Sequence, residues 1–155
     1  VQPNFPRKRM SAPASPPVHP AALAHPGWAK AHPSEGEFID SGLSRMGRMF
    51  SSAHSGTDAV AELAAAISSN DIVVVGMKFN PFVSLARSTL DKAGLAYKYC
   101  EYGGYFSQYQ ARFAIKKWSG WSTIPQVFVK GQLIGGADLT LQLTKSGELA
   151  KMLKG

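Results

Sequence analysis

One cysteine, Cys100, is the only thiol in the 155-residue chain. That excludes an intramolecular disulfide and any secreted fold stapled by several of them. Acid is missing from the start: no Asp or Glu precedes Glu35, although Arg7-Lys8-Arg9 lies close to the beginning. Long apolar runs are missing too. Ile72–Val75 is of strand length, and nothing approaches the ~18 residues of a membrane span. Proline becomes rare after the first third. Eight of the ten prolines fall at or before Pro33, and only Pro81 and Pro125 follow.

That uneven distribution divides the chain. Pro3, Pro6, Pro13, Pro16, Pro17, Pro20, Pro26 and Pro33 stand too close together for helix interiors or sheet ladders. Residues 1–56 therefore read as an extended, Pro-rich N-terminal tail, and 57–155 as the folded domain. A tail without a core of its own does not offset the ~1–2 kcal/mol per residue of ordering its backbone unless it lies on something. Phe5, Trp28, Phe38 and Phe50 are natural anchors for partner subunits. Charge is uneven as well: six Lys/Arg against five Asp/Glu over 1–70, but eleven against five over 71–155. A domain so basic suits an acidic protein face, an anionic lipid surface or RNA.

Within the domain, a Thr57 or Asp58 cap opens a helix with Val60, Leu63, Ala64 and Ile67 at helical spacing, ended by Ser68-Ser69-Asn70. Ile72–Val75 is a β-branched run fit for a buried central strand. Pro81 opens a helix at a permitted position, with Val83, Ala86, Leu90 and Ala93 as its buried face and Gly94 as its end. Leu95–Tyr102 is the second strand. Phe106–Trp118 is the third helix, with Tyr109, Phe113 and Ile115 inward. Gln126–Val129 and Leu133–Ile134, joined at Lys130-Gly131, form a hairpin. Leu139–Leu143 and Gly147–Leu153 are terminal helical pieces. The order α, β, α, β, α, β, β, α predicts an α/β fold with a four-stranded mixed sheet flanked by helices.

Thr123-Ile124-Pro125, the hairpin after it and Gly135-Gly136-Ala137-Asp138 resemble the C-terminal half of a glutaredoxin. Trp118-Ser119-Gly120-Trp121-Ser122 is most similar to the monothiol branch of that family. The likeness covers about Asp71 to Leu153 and implies a thioredoxin-like fold. It also implies where chemistry belongs: a loop holding Cys-Pro-Tyr-Cys, or Cys-Gly-Phe-Ser in monothiol members, at a helix N-terminus that favours the thiolate. This chain has Asn80-Pro81-Phe82-Val83 there. Asparagine cannot ionise, attack a disulfide or supply a thiolate to iron, but it caps a helix well. The expectation is therefore no catalytic residue, no thiol–disulfide exchange and no iron–sulfur cluster at this position.

The resemblance further implies a glutathione groove built from Lys78, Thr123, Ile124, Pro125, Gly136 and Asp138. The backbone of residues 123–125 would align the peptide-like ligand as an extra strand. Gly136 would admit its backbone, and Asp138 would accept from its amino group. Lys78 sits two residues before Asn80, one closer than the usual dithiol spacing, and the longer monothiol loop is absent. The expectation is a vestigial groove kept by the fold, with no cofactor.

Cys100 falls in a predicted strand and reads as a small core residue. His19, His25, His32 and His54 show no metal-ligand spacing, so no metal site is expected. Lys116-Lys117 beside Trp118 and Trp121 could meet nucleic acid by charge and stacking, or could simply be dipole-favoured lysines at a helix end. The functional expectation is a non-catalytic, glutaredoxin-like structural or accessory subunit of a large multi-subunit complex. Its tail 1–56 and one face of the domain would contact the other subunits. The family's monothiol branch and the acid-poor N-terminus point to the mitochondrion, with a respiratory complex, ATP synthase or mitoribosome as host. The alternatives are a glutathione-binding or redox-sensing homologue and an RNA-contacting module.

Overall fold

The computed structural model describes residues 13–26, 28 and 56–155. Phe5, Phe38, Phe50, His32 and His54 lie outside these described residues, as do most of the predicted tail contacts. The elements are α1 (Pro20–Leu23), α2 (Gly56–Ser69), β1 (Ile72–Gly76), α3 (Pro81–Lys92), β2 (Lys98–Glu101), α4 (Tyr109–Ser119), β3 (Gln126–Val129), β4 (Gln132–Gly135), α5 (Ala137–Lys145) and α6 (Glu148–Lys154).

The sheet has the order β2-β1-β3-β4. β2 runs parallel to β1, with Val75 opposite Cys100. β3 runs antiparallel to β1, with Val75 opposite Gln126, and β4 returns antiparallel to β3. Strand alternation sorts the core into two layers. Val73, Val75, Phe128 and Leu133 face the side packed by Leu63 of α2 and Ile115 of α4. Ile72, Val74, Val127, Val129 and Ile134 face Ala86 and Leu90 of α3, Leu143 of α5 and Leu149 of α6. Every β1 residue is buried, which is why the run has no polar member. The hairpin turn takes positive φ at both Lys130 (49°) and Gly131 (82°), the twist-matched geometry for a two-residue loop. Lys130 also pairs with Asp71 at 2.8 Å.

Several expected boundaries move. The second strand starts at Lys98 rather than Leu95, because the Leu95 N–H is spent on the Leu90 carbonyl at 3.0 Å, closing the end of α3. Ala93 is the C-cap of α3 and is exposed, not part of its buried face. The third helix starts at Tyr109. Gln108 has φ 52°, and Gly104 and Ser107 form a turn before it, so Phe106 cannot be helical. Tyr109 and Phe113, expected inward, are half-buried and stack on each other with centroids 6.3 Å apart. Ile115 is buried as expected, and Ala111, Arg112 and Ser119 complete the buried face with it. The four-residue α1 inside a Pro-rich stretch is also new. Pro20 is tolerated because it takes the first helical position, and His19 caps it by accepting the Ala21 N–H at Nδ1, 3.1 Å.

Part of the predicted tail lies on its own domain. Val18 bridges Leu133 in parallel, beside the free edge of β4. The indole N–H of Trp118 donates to the Pro13 carbonyl at 2.9 Å, and Ala22 is wholly buried. Over residues 13–26, then, the surface that orders the backbone is supplied within the chain.

Candidate functional site

The register decides which loops meet. Val75 pairs with Gln126, so the point where β1 leaves for Asn80 lies beside the point where Pro125 enters β3. The Ile124–Pro125 peptide is cis. Asn80 caps α3: its Oδ1 accepts from the N–H of Phe82 at 2.9 Å and of Val83 at 3.2 Å. The two amides at the helix start are therefore satisfied by a neutral side chain.

Next to this helix start is a cavity of about 440 Å³. Thr123, Ile124, Pro125, Gly136 and Asp138, all expected in one groove, line it together. Lys78 does not. It is exposed, and its backbone N–H bonds the Gly103 carbonyl at 2.8 Å, tying the β1–α3 loop to the β2–α4 loop. A Cβ on Gly136 would stand 3.5 Å from the Pro125 carbonyl oxygen, 3.7 Å from Trp121 Nε1 and 3.8 Å from Asp138 Oδ1. The missing side chain thus leaves open the space into which three polar groups point.

Five further lining residues, His25, Phe82, Trp121, Ser122 and Ala137, were not expected from the sequence, and two of them bring polar groups to the groove's chemistry. Trp121 is 3 % exposed, and its Nε1 has no hydrogen-bond partner among the described residues. Its carbonyl is held by Gln126 Nε2 at 2.7 Å, which fixes the loop carrying it. Burial leaves no face of Trp121 for a nucleic-acid base, and the Trp118 indole is engaged by residues 13 and 14. The stacking pair imagined beside Lys116-Lys117 does not exist. Lys116 itself is half-buried, and burial, with the nearby Arg112 guanidinium, holds its ammonium below the usual lysine range.

The second residue is His25, whose Nε2 lies 2.6 Å from Asp138 Oδ2. Its ring sits 5.5 Å from that of Trp121, inclined by 45°. No sequence spacing could disclose a contact across 113 residues. Asp138 Oδ1 accepts from the Leu139 N–H at 2.9 Å, so both carboxylate oxygens are engaged at the start of α5.

Cys100 takes no part. It is half-buried in β2, on the edge of the sheet opposite β4, and packs on the α2 side of the core. Burial pushes its thiol up, away from the reactive form. Among the described residues no cluster of three His, Cys, Asp or Glu could hold an ion, and no helix is long and apolar enough to cross a membrane. An iron–sulfur cluster does not fit the groove: an asparagine stands at the helix start, and the lone thiol lies on another strand.

A rim of exposed apolar side chains surrounds the helix start. Phe79 is 88 % exposed, Phe82 62 % and Phe106 66 %, with Leu85 and Tyr105 beside them in the sequence and also exposed. Arg112 braces the loop that carries Tyr105 and Phe106, donating from Nη1 to the carbonyls of Tyr102 (2.7 Å) and Ser107 (2.6 Å).

The family described as Glutaredoxin matches residues 72–134. A "Glutaredoxin-like protein" of Dictyostelium discoideum is 45 % identical over 98 residues, covering 63 % of this chain and 80 % of that protein. A "Probable monothiol glutaredoxin 2" of Rickettsia felis is 54 % identical over 41 residues, 26 % of this chain and 39 % of that one. Among solved structures, a buckwheat glutaredoxin–glutathione complex superposes with a TM-score of 0.57 at 26 % identity, covering 64 % of this chain and 90 % of the other.

Proposed function

The chain belongs to the glutaredoxin family, and from that premise we propose that it is a member that binds without catalysing: a structural or accessory subunit of a large mitochondrial assembly. One observation carries the reading. Asn80 stands where the family resemblance puts the nucleophile, and its amide is committed to capping α3. The helix start that would lower a thiol's pKa has no thiol to act on. What that part of the surface offers instead is Phe79, Phe82, Leu85, Tyr105 and Phe106, exposed on two loops joined by the Lys78–Gly103 bond. Apolar side chains gathered on a rim are what a protein–protein contact uses. The basic domain and the acid-poor N-terminus support a host rich in acidic surface, and a mitochondrial one.

Two measurements test it. The native protein is expected to co-sediment with a megadalton-scale particle, and recovery only as a free monomer would refute the subunit role. The purified chain is expected to show no thiol alkylation at neutral pH beyond slow reaction at Cys100. Asn80→Cys should add one rapidly alkylated thiol, because a cysteine at that position would meet the two N–H groups the asparagine now caps.

A second reading is favoured by the groove itself: a glutathione-binding or redox-sensing role without catalysis. Its support is the open space beside Gly136, the Trp121 indole N–H, which has no hydrogen-bond partner among the described residues, and the Asp138 carboxylate, three features a zwitterionic peptide could use. Calorimetry with reduced glutathione tests this, with Asp138→Ala as the control. Binding that disappears in the variant supports it; no binding by the wild type removes it.

A further inference from the structure

The groove is already touched by a segment of the same chain, and that segment is anchored. The Pro17 carbonyl accepts the Leu133 N–H, and the His19 N–H donates to the Leu133 carbonyl, each at 2.9 Å. Leu133 belongs to edge strand β4, whose outward N–H and C=O would otherwise be unpaired. Upstream, the Trp118 indole holds the Pro13 and Ala14 carbonyls. Downstream, Ala22 is buried completely, and α1 carries the chain to His25. The imidazole then arrives 2.6 Å from Asp138 and 5.5 Å from the Trp121 ring.

Among the described residues that line this cavity, Asp138 is the only acid and His25 the only base. An ammonium-bearing ligand needs a carboxylate, and this one already holds Leu139 N–H at Oδ1 and His25 at Oδ2, although its side chain is 66 % exposed. The backbone bond is intrinsic to α5. The imidazole contact is not, since it comes from a strap held at the sheet edge.

We propose that residues 17–25 form an intramolecular strap and that its His25 determines what the groove accepts. A peptide-like ligand with a free amino group competes with the imidazole for Asp138 Oδ2. The ligand chemistry rests on the second reading above; the strap does not. Its anchoring is that of an added strand on a sheet edge, with main-chain bonds supplying the hold and a side chain supplying the choice. The strap also explains why a groove with an open floor is not simply vacant: affinity for such a ligand is lowered by the population in which His25 is docked.

The test uses the full chain. Wild type, His25→Ala and Asp138→Asn are titrated with reduced glutathione by calorimetry, and the His25 ring signals are followed by NMR, identified by their loss in His25→Ala. His25→Ala is expected to bind glutathione about threefold more tightly than wild type, the scale of one partly exposed polar contact. The His25 signal should shift when Asp138 becomes Asn, with no ligand present. Equal or weaker binding by His25→Ala than by wild type would overturn the selecting role while leaving the groove reading intact. Failure of both proteins to bind would overturn the glutathione reading, and the selecting role with it. A His25 signal unmoved by Asp138→Asn would overturn the strap contact itself.

Discussion

Asn80 holds the start of α3 with a neutral side chain. Its Oδ1 accepts two N–H bonds at the start of α3, so its capping role is independent of any chemistry. Asn80→Ala should lower stability by about 1 kcal/mol, read as a shift in the urea midpoint with no change in slope. Lys116 makes a second point at this scale. Burial, then Arg112, lowers its pKa in the folded chain. Between the folded and the unfolded values the unfolded chain holds more protons, so this residue makes stability rise with pH across that alkaline window. Lys116→Met should flatten that rise and, below it, be neutral or stabilising. Denaturation at a series of pH values, wild type against variant, checks the sign.

The hairpin and what touches it carry the argument at the level of elements. The β-branched runs, the Lys130-Gly131 turn and the apolar alternation made β1, β3 and β4 legible, because each is decided by local propensity and period. Gly135 reveals a constraint that is not local. At φ +111°, an added Cβ would fall 2.6 Å from Leu139 Cδ1 and 3.2 Å from Trp121 Cη2. Gly135→Ala should therefore destabilise by about 1–3 kcal/mol through strain and overpacking, and should disturb the Trp121 environment, seen as a change in fluorescence. The misjudged elements share a cause. Phe106 and Leu95 looked periodic, but turn hydrogen bonds at Gly104–Ser107 and the closing bond from Leu95 to Leu90 ended the regular structure earlier. Tyr109 and Phe113 satisfied a helical spacing, yet beside Ile115 the buried face where α4 packs on α2 was taken by Ala111, Arg112 and Ser119.

At the scale of the whole molecule, the exposed aromatic rim and the strap meet at one cavity, which Phe82 and His25 both line, but they make different demands. If the rim docks onto other subunits, Phe79→Ser with Phe106→Ser should release the protein from its particle while leaving its melting temperature within a degree or two, since both rings are more than 60 % exposed. Sedimentation of the native particle beside thermal unfolding of the purified variant separates the two effects. Residues 13–26 and Trp28 find packing contacts on the domain itself, so on the proposed reading the contacts to other subunits come from the remainder of 1–56.

The sequence by itself determined the α/β order, the hairpin, the capped start of α3 and the absence of a nucleophile there. All of these depend on residue type and short-range spacing. It also marked Thr123, Ile124, Pro125, Gly136 and Asp138 as members of one site, through resemblance. Only the tertiary structure decided that Lys78 stays outside the groove, that Trp121 is a buried donor rather than a stacking platform, and that His25 reaches Asp138. Those outcomes depend on strand register, on burial and on a strap laid along an edge strand. They join residues more than a hundred positions apart, and no local preference encodes such a distance.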